Sequence, residues 1–339
     1  MSTTSASAPG KIVLCGEYAV LHGAPAIAAA VSRRARVDVE ATARAGVRVR
    51  APGYRDDEIS YRLLPGGALE QDAPVAPDRD FALFEQLWKA CAPAVTGGLE
   101  IRLDTAAFSD PATRRKLGLG SSAALSVALV AALRPELDAN AVAALAGKAH
   151  RDFQQGGSGV DIACAVYGGV IRYRQGGGTP DCVALPQDLH LAILWSGTPA
   201  STASRIQALD SSLRRPGRHA TLQALMQQAD ALAAGWQSGD AGQVYRLFTE
   251  YVVALRAFDA DQKLGIFAAG HAALADAAVE RGLVYKPCGA GGGDVGVAIA
   301  LDAGVLEGFV AHAAQAGFSR PGVDLGAVGL QRDGKQHDD

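Results

Sequence analysis

The sequence predicts an α+β fold divided into two domains. Its 339 residues suffice for two domains at the usual size of about 100–200 residues each. In the N-terminal half, residues 37–49 alternate apolar and polar side chains, as half-buried strands do. In the C-terminal half, helical segments come before a strand and a last helix. That order is typical of helices covering one face of a sheet.

The N-terminal domain is expected to span residues 1–185 and to contain an antiparallel sheet. Strands are predicted at residues 11–15, within 37–49, at 99–103 and at 167–173. Helices are predicted at residues 81–91, directly after the serine pair 121–122, and at 139–154. Residues 51–79 are polar and rich in Pro and Gly, so a loop with one strand is expected there.

The C-terminal domain is expected to span residues 186–339. It begins with a predicted strand at residues 191–195. Predicted helices follow at 221–234, 241–257 and 266–281, then a strand at 295–301 and a helix at 305–316.

Composition and charge exclude several classes of protein. The net charge of −3 gives no basic excess, so we expect neither nucleic acid nor an anionic membrane as a partner. The five cysteines are scattered without CxxC spacing, which argues against a disulfide framework and a structural zinc site. The N-terminus lacks the pattern of a signal peptide, and no apolar run is long enough to cross a bilayer. We expect an unprocessed cytoplasmic protein.

Glycine is unusually frequent and is clustered. The chain has 40 glycines, against about 24 at the average frequency of about 7%. Many lie in three clusters beside apolar segments, at residues 118–120, 156–169 and 289–293. Such clusters indicate places where the backbone turns with positive φ or comes close to a ligand.

The first glycine cluster lies in LGLGSSAAL, at the start of an apolar helix. Free backbone N–H groups and the positive end of the helix dipole suit a phosphate at such a position. An ordinary serine cap after a glycine turn is the alternative. GLGSSA also fits a dinucleotide fingerprint, but the preceding SDPATRRK is too polar for the required strand. No Walker A pattern occurs in the sequence.

Two charged residues stand next to apolar segments and are candidates for chemistry. Asp161 follows the second glycine cluster, where a carboxylate is costly to bury without a cation or a proton-bearing partner. A general base would fit this position, and so would a cap on a helix that starts at Ile162. Lys11 opens an apolar strand and could act at a site or simply be solvated.

The third glycine cluster lies in KPCGAGGGDVGVAIA, with four glycines in five positions from Gly289. A run this dense is costly in conformational entropy, so a purely structural turn would rarely need it. We therefore favour close approach to a ligand.

Three segments together resemble motifs of a known family. APGKIVLCGEYAVLHG, KLGLGSSAALSVAL and KPCGAGGGDVGVAIA resemble motifs one, two and three of the GHMP small-molecule kinases, in the same order. The resemblance implies the two-domain GHMP kinase fold. The N-terminal domain would be like the second domain of ribosomal protein S5, the C-terminal domain would be ferredoxin-like, and the active site would lie between them.

The resemblance also implies roles for individual residues. ATP would bind the N-terminal half, with Mg²⁺ held partly by the hydroxyl of Ser122. Asp161 matches the catalytic aspartate of the family, and Lys11 matches the lysine of motif one. The implied nucleotide-binding residues are Lys116, Gly118, Leu119, Gly120, Ser121 and Ser122.

A small-molecule acceptor is implied as the second substrate. The expected acceptor-binding residues are Glu17, Tyr18, Ser158, Gly159, Ser201, Thr202, Ser204, Arg205, Gly291 and Gly292. For residues 201–205, a helix N-terminus with ordinary caps is the alternative.

Within the family, four segments are similar to the phosphomevalonate kinases. These are GEYAVL, SGVDIACAVYGG, AGGGDVGVA and LWSGTPASTASRI. In the related mevalonate kinases, a Mg²⁺-binding glutamate stands eleven residues before the catalytic aspartate. Here that position is His150, a poor replacement for a hard oxygen ligand.

The resemblance implies phosphoryl transfer from ATP to 5-phosphomevalonate. Transfer to the hydroxyl of mevalonate, or of another small alcohol or sugar, is the second hypothesis. A nucleotide-binding relative without turnover is the third, and the presence of Lys11, Ser122 and Asp161 argues against it.

Overall fold

The computed structural model describes residues 3–52, 54–55, 57–72, 81–95, 97–200, 202–214 and 219–333. Within these ranges the fold is α+β, as predicted. The strands are β1 (Thr3–Cys15), β2 (Ala26–Thr42), β3 (Val47–Arg50), β4 (Ile59–Leu63), β5 (Leu69–Gln71), β6 (Gly98–Asp104), β7 (Val170–Tyr173), β8 (Asp181–Val183), β9 (His190–Trp195), β10 (Val284–Pro287), β11 (Val295–Ala300) and β12 (Gln331–Asp333).

The helices occur singly or in runs between these strands, and the longest of them is in the second half of the chain. They are α1 (Ala82–Cys91), α2 (Ser121–Leu133), α3 (Ala139–Gln154), α4 (Val160–Tyr167), α5 (Thr202–Leu213), α6 (Ala220–Trp236), α7 (Ala241–Gln262), α8 (His271–Glu280) and α9 (Ala303–Gln315). A short 3₁₀ turn, Ala19–His22, lies between β1 and β2.

The larger sheet is built around β1 and β2. Its order is β12-β1-β2-β6-β3-β4-β5, and β7 extends it by pairing with β2 and with β8. Every pair is antiparallel except β3 with β6, which run parallel. The expected antiparallel sheet is therefore present with one parallel pair. Helices α2 and α4 pack on β1 and β2 and so carry the glycine clusters to this sheet.

Strand β1 is much longer than the predicted residues 11–15. It pairs with β2 from Thr3 onward, and its early inward-facing residues Ala6 and Ala8 are buried. Small side chains carry little hydrophobic signal, which is why the pattern indicated only the apolar second half of the strand. Similarly, residues 59–71 contain two short strands rather than the single one expected.

Helix α8 begins at His271, five residues later than predicted. The backbone N–H groups of Ile266 and Phe267 donate to the carboxylate of Asp259, at 2.9 and 3.1 Å. These bonds anchor the turn at residues 265–270 to α7. Ala269 and Gly270 have φ values of 54° and 85°, a left-handed conformation that prevents a right-handed helix from beginning before His271. Sequence periodicity carries no sign of this change in backbone conformation.

The smaller sheet has the order β10-β11-β9 and is antiparallel. Helices α7, α8 and α9 pack against it. One hydrophobic core runs from β1 into this part of the molecule and includes Leu14, Leu194 and Phe248. The end of the chain returns to the larger sheet, where β12 pairs with β1. A domain boundary near residue 185 stays a prediction.

Within the described ranges, no helix is both long enough and apolar enough to span a bilayer.

Candidate active site

The three glycine clusters converge on one cavity of about 310 Å³. β1 contributes Lys11, and the amino end of α2 contributes Ser121 and Ser122. The first turn of α4 contributes Asp161, and the loop after β10 contributes Gly289. The volume is that of a small-molecule site. The segments singled out by their glycines thus meet in space although they are far apart in the chain.

The loop before α2 is fixed to β1 by its backbone. The N–H of Lys11 donates to the carbonyl of Leu119 at 2.8 Å. The side chain of Leu119 is buried, so only the main chain of this residue is available to the nucleotide-binding role predicted for it. Motif one and motif two are therefore adjacent through a direct hydrogen bond.

The amino end of α2 is open to the cavity. Gly120 precedes the helix with φ of 81°, a left-handed conformation that a residue with a side chain adopts only with strain. No side chain caps the helix. The backbone N–H groups of residues 121–123 donate no hydrogen bond to the described part of the chain. Free donors and the helix dipole make this end suitable for an anion.

Lys11 extends from β1 across the first glycine loop. A Cβ atom at Gly120 would lie 3.3 Å from Cγ of Lys11, and one at Gly289 would lie 3.6 Å from its Nζ. The ammonium group therefore ends between the amino end of α2 and the third glycine loop. It forms no ion pair with any described residue, and its charge attracts the carboxylate of Asp294, which lines the same cavity.

Asp161 lies in the first turn of α4, one residue after the helix begins. Its Oδ1 accepts a hydrogen bond from the backbone N–H of Ile162 at 3.0 Å. The residue before the helix is Gly159, so Asp161 is not the cap that the alternative interpretation proposed. No described residue forms an ion pair with its carboxylate, which lines the cavity.

The loop before α4 is held in place by two hydrogen bonds. Tyr173 donates its hydroxyl to the carbonyl of Ser158 at 2.6 Å, and the Ser158 hydroxyl accepts from the N–H of Val160 at 3.3 Å. Ser158 and Gly159 line the cavity, as their predicted acceptor-binding role requires.

Asp294 connects the third glycine loop to the first, a contact that the sequence did not indicate. Its carboxyl group packs against Gly118 so closely that a Cβ atom there would clash with it. The N–H of Ala200 donates to its Oδ1 at 3.1 Å. Burial raises the pKa of Asp294. This residue therefore joins the loop before α2 to the smaller sheet.

The third glycine loop approaches protein atoms as well as the cavity. A Cβ atom at Gly291 would lie 2.6 Å from the carbonyl oxygen of Ile266, and one at Gly292 would clash with the guanidinium of Arg205. Gly289 and Ala290 line the cavity itself. The density of glycine is thus explained in part by packing on α5 and on the turn before α8. The acceptor-binding roles of Gly291 and Gly292 stay predictions.

Glu17 and Tyr18 both line the cavity, but each also has a partner in the C-terminal half. Glu17 is buried in an ion pair with Lys286, and Tyr251 donates its hydroxyl to Glu17 Oε2 at 2.7 Å. The Tyr18 hydroxyl donates to the carbonyl of Ala290 at 2.6 Å. Lys286, entirely buried, was not among the predicted residues.

The segment at residues 201–205 is only partly described. Ser201 and the side chain of Thr202 lie outside the described residues. Ser204 is exposed, and Arg205 directs Nη2 toward the carbonyl of Gly292 at 3.4 Å. The cavity is lined from this helix by Ile206. Lys116 also lines the cavity, with its ammonium 5.5 Å from the ring centroid of Tyr54.

The residues present fit a magnesium ion that is bound mainly through phosphates. Among the residues that the structure describes, no three His, Cys, Asp or Glu side chains form a metal-binding cluster. Mg²⁺ in nucleotide sites keeps several waters and takes one or two protein oxygens together with phosphate oxygens. The hydroxyl of Ser122 and the carboxylate of Asp161 are hard oxygen donors on the same cavity.

Comparison with known proteins agrees with this geometry. The family profile described as "GHMP kinases N terminal domain" matches residues 82–169. A phosphomevalonate kinase of Streptomyces sp. (strain CL190) is 31% identical, covering 87% of this chain and 89% of the relative. A mevalonate kinase of Thermococcus sibiricus is 30% identical over 58% of each chain.

A solved structure has the same fold. Streptococcus pneumoniae phosphomevalonate kinase, in complex with phosphomevalonate and AMPPNP, aligns with a TM-score of 0.76 at 18% identity, covering 96% of this chain and all of that one. The chain belongs to the GHMP kinase family, whose members are ATP-dependent kinases.

Proposed function

We propose that the protein transfers the terminal phosphoryl group of ATP to the phosphate of 5-phosphomevalonate, giving 5-diphosphomevalonate and ADP. The observation that carries the proposal is the convergence of Lys11, Asp161 and the open amino end of α2 on one cavity. A cation, a carboxylate and an anion-binding helix end are the groups that phosphoryl transfer requires.

ATP is proposed to place its phosphates at the amino end of α2. The backbone N–H groups of residues 121–123 would donate to phosphate oxygens, and Lys116 would add a positive charge at the cavity edge. When bound, Mg²⁺ would neutralise part of the phosphate charge, with Ser122 as its protein ligand.

Lys11 and Asp161 are proposed to act on the acceptor. An oxygen of the acceptor phosphate attacks the terminal phosphorus, the bond from that phosphorus to the bridging oxygen breaks, and ADP leaves. Asp161 accepts a proton where the attacking oxygen carries one. Lys11 favours the ionised acceptor and stabilises the negative charge that develops on the transferring oxygens.

Two observations support a phosphorylated acceptor. The similarity to the Streptomyces phosphomevalonate kinase, at 31% identity, is higher than the similarity to a mouse mevalonate kinase, at 27%, and both extend over most of this chain. In addition, Lys11, Lys116 and Arg151 line the cavity and can pair with phosphate groups of the substrates. Carboxylates of Glu17, Asp161 and Asp294 line it as well, and that of Glu17 is already paired with Lys286.

Mevalonate kinase activity is the second candidate. The Thermococcus relative is 30% identical over its matched part, nearly the same level as the Streptomyces relative. The two candidates differ in whether the acceptor group is a phosphate or an alcohol.

An assay of ADP release with phosphomevalonate and mevalonate in parallel separates these candidates. We expect turnover that depends on phosphomevalonate and is absent with mevalonate. The Asp161→Asn variant, purified in the same way, is the control: its rate of ADP release measures the activity of any contaminating host kinase, and this rate is subtracted. Turnover with mevalonate alone would overturn the proposed acceptor, and nucleotide binding without turnover on either compound would indicate a non-catalytic relative.

A further inference from the structure

A buried histidine contacts the serine at the head of α2. Nε2 of His150 lies 3.0 Å from the hydroxyl oxygen of Ser122. His150 is 3% exposed and belongs to the inward face of α3, together with Ala146 and Ala149. Its ring therefore reaches the cavity wall from α3, beside Ser122.

The hydroxyl of Ser122 has one proton and two lone pairs to direct. His150 is the partner of that hydroxyl within the described chain. If the hydroxyl donates to Nε2, both lone pairs are left for groups in the cavity. Without an acceptor behind it, the hydroxyl is free to rotate among staggered positions, of which only some face the cavity.

We propose that His150 is a positioning residue, which accepts the Ser122 proton at Nε2 and so holds the serine oxygen as an acceptor toward the Mg²⁺ of a bound nucleotide. The proposal rests on the proposed position of ATP at the amino end of α2. It is independent of the identity of the phosphoryl acceptor.

A double-mutant cycle on nucleotide binding tests this proposal. The four proteins are wild type, His150→Leu, Ser122→Ala and the double variant, and calorimetry measures their binding of a non-hydrolysable ATP analogue with Mg²⁺. Removing a residue that orients a metal ligand typically costs about 10- to 100-fold in affinity or activity. We expect a loss of about 10-fold for His150→Leu in the wild-type background and less than about 2-fold in the Ser122→Ala background.

Additional variants separate positioning from loss of structure. His150→Gln can present an acceptor near the place of Nε2 and is expected to restore binding to within about 3-fold of wild type. Ser126→Ala is the matched control, because its hydroxyl donates to the carbonyl of Ser122 at 2.8 Å on the buried side of the same helix. We expect its nucleotide affinity to be unchanged.

The direction of the hydrogen bond is tested by repeating the calorimetry without Mg²⁺. If His150→Leu lowers nucleotide affinity only in the titration that contains Mg²⁺, the result supports the serine oxygen as the acceptor that faces the metal ion. Equal losses with and without Mg²⁺, or losses that add in the double variant, would overturn the proposal. Because the readout is binding, it stays informative even if phosphomevalonate is not the acceptor.

Discussion

The carboxylate of Asp161 lies in the cavity beside the open end of one helix and in the first turn of another. Within the described chain it accepts a hydrogen bond from the N–H of Ile162. It also lies at the positive end of the α4 dipole, in the first turn of that helix. The lysine that the sequence paired with it, Lys11, reaches the same cavity from β1.

Replacing Asp161 with Asn removes the proton acceptor and keeps the shape of the side chain. We expect turnover to fall by about 10²–10⁴-fold, the range for losing a general base. Binding of ATP should change little, since the proposed phosphate donors are on α2. Steady-state assays and calorimetry measure the two quantities separately.

Asp152→Asn is a matched control for this substitution. Asp152 is exposed on α3 and pairs with Lys148, four residues earlier on the same helix, at 2.9 Å. A surface pair of this kind contributes little to stability, so activity should be unchanged. Near wild-type turnover of Asp161→Asn would show that the base is another residue.

For single residues, the sequence predicted those whose adjacent residues in the chain form a recognisable pattern. Lys11, Ser122 and Asp161 each stand beside a glycine cluster or an apolar segment, and all three reach the cavity. The roles of Lys286 and Asp294 were missed because their partners, Glu17 and Gly118, are more than 170 residues away in the chain. A distant pairing leaves no local pattern in a single sequence.

Between elements, a buried ion pair connects the end of β1 with β10. Nζ of Lys286 donates to the carboxylate of Glu17 and, at 3.0 Å, to the carbonyl of Pro287. Burial by itself would lower the pKa of Lys286, but the adjacent Glu17 carboxylate outweighs it and raises that pKa above 10.5. The ion pair therefore contributes to the free energy of unfolding at neutral pH, and this contribution is lost only as the pH rises through that higher pKa.

Replacing Lys286 with Met leaves the carboxylate of Glu17 buried without its cation. We expect the free energy of unfolding to decrease by about 3–5 kcal/mol, the usual effect of removing one member of a buried pair. Chemical denaturation at neutral pH measures the change.

The double variant Glu17→Gln with Lys286→Met is the control for this prediction. It removes both charges, so it should be more stable than the single Lys286→Met variant. If the single variant unfolds within about 1 kcal/mol of wild type, the pair does not connect the two elements as described.

Elements with a strong internal pattern were predicted closely. Helix α3 occupies the predicted residues 139–154, and α6 extends the predicted 221–234 by one residue at its start and two at its end. Helix α7 runs five residues past the predicted end at 257. Strands with small side chains or few residues were underestimated, because β1 and β5 depend on their neighbours in the sheet for stability.

Over the whole molecule, the cavity is formed where the N-terminal and C-terminal halves of the chain meet. The two halves share one hydrophobic core, and β12 pairs with β1. Tyr18 bonds to the third glycine loop, and Asp294 packs against the first. The sequence could predict that three glycine clusters bind something, and its resemblance to a family predicted how they are arranged. The approach of the third loop to Arg205 and Ile266 required the folded chain.

A crystal structure with a non-hydrolysable ATP analogue and phosphomevalonate together tests the central claim most directly. We predict the acceptor oxygen at about 3–3.5 Å from the terminal phosphorus. That oxygen should also lie within about 2.6–3.2 Å of Asp161 or Lys11. A triphosphate bound away from the amino end of α2, with its terminal phosphorus remote from Asp161, would contradict the account.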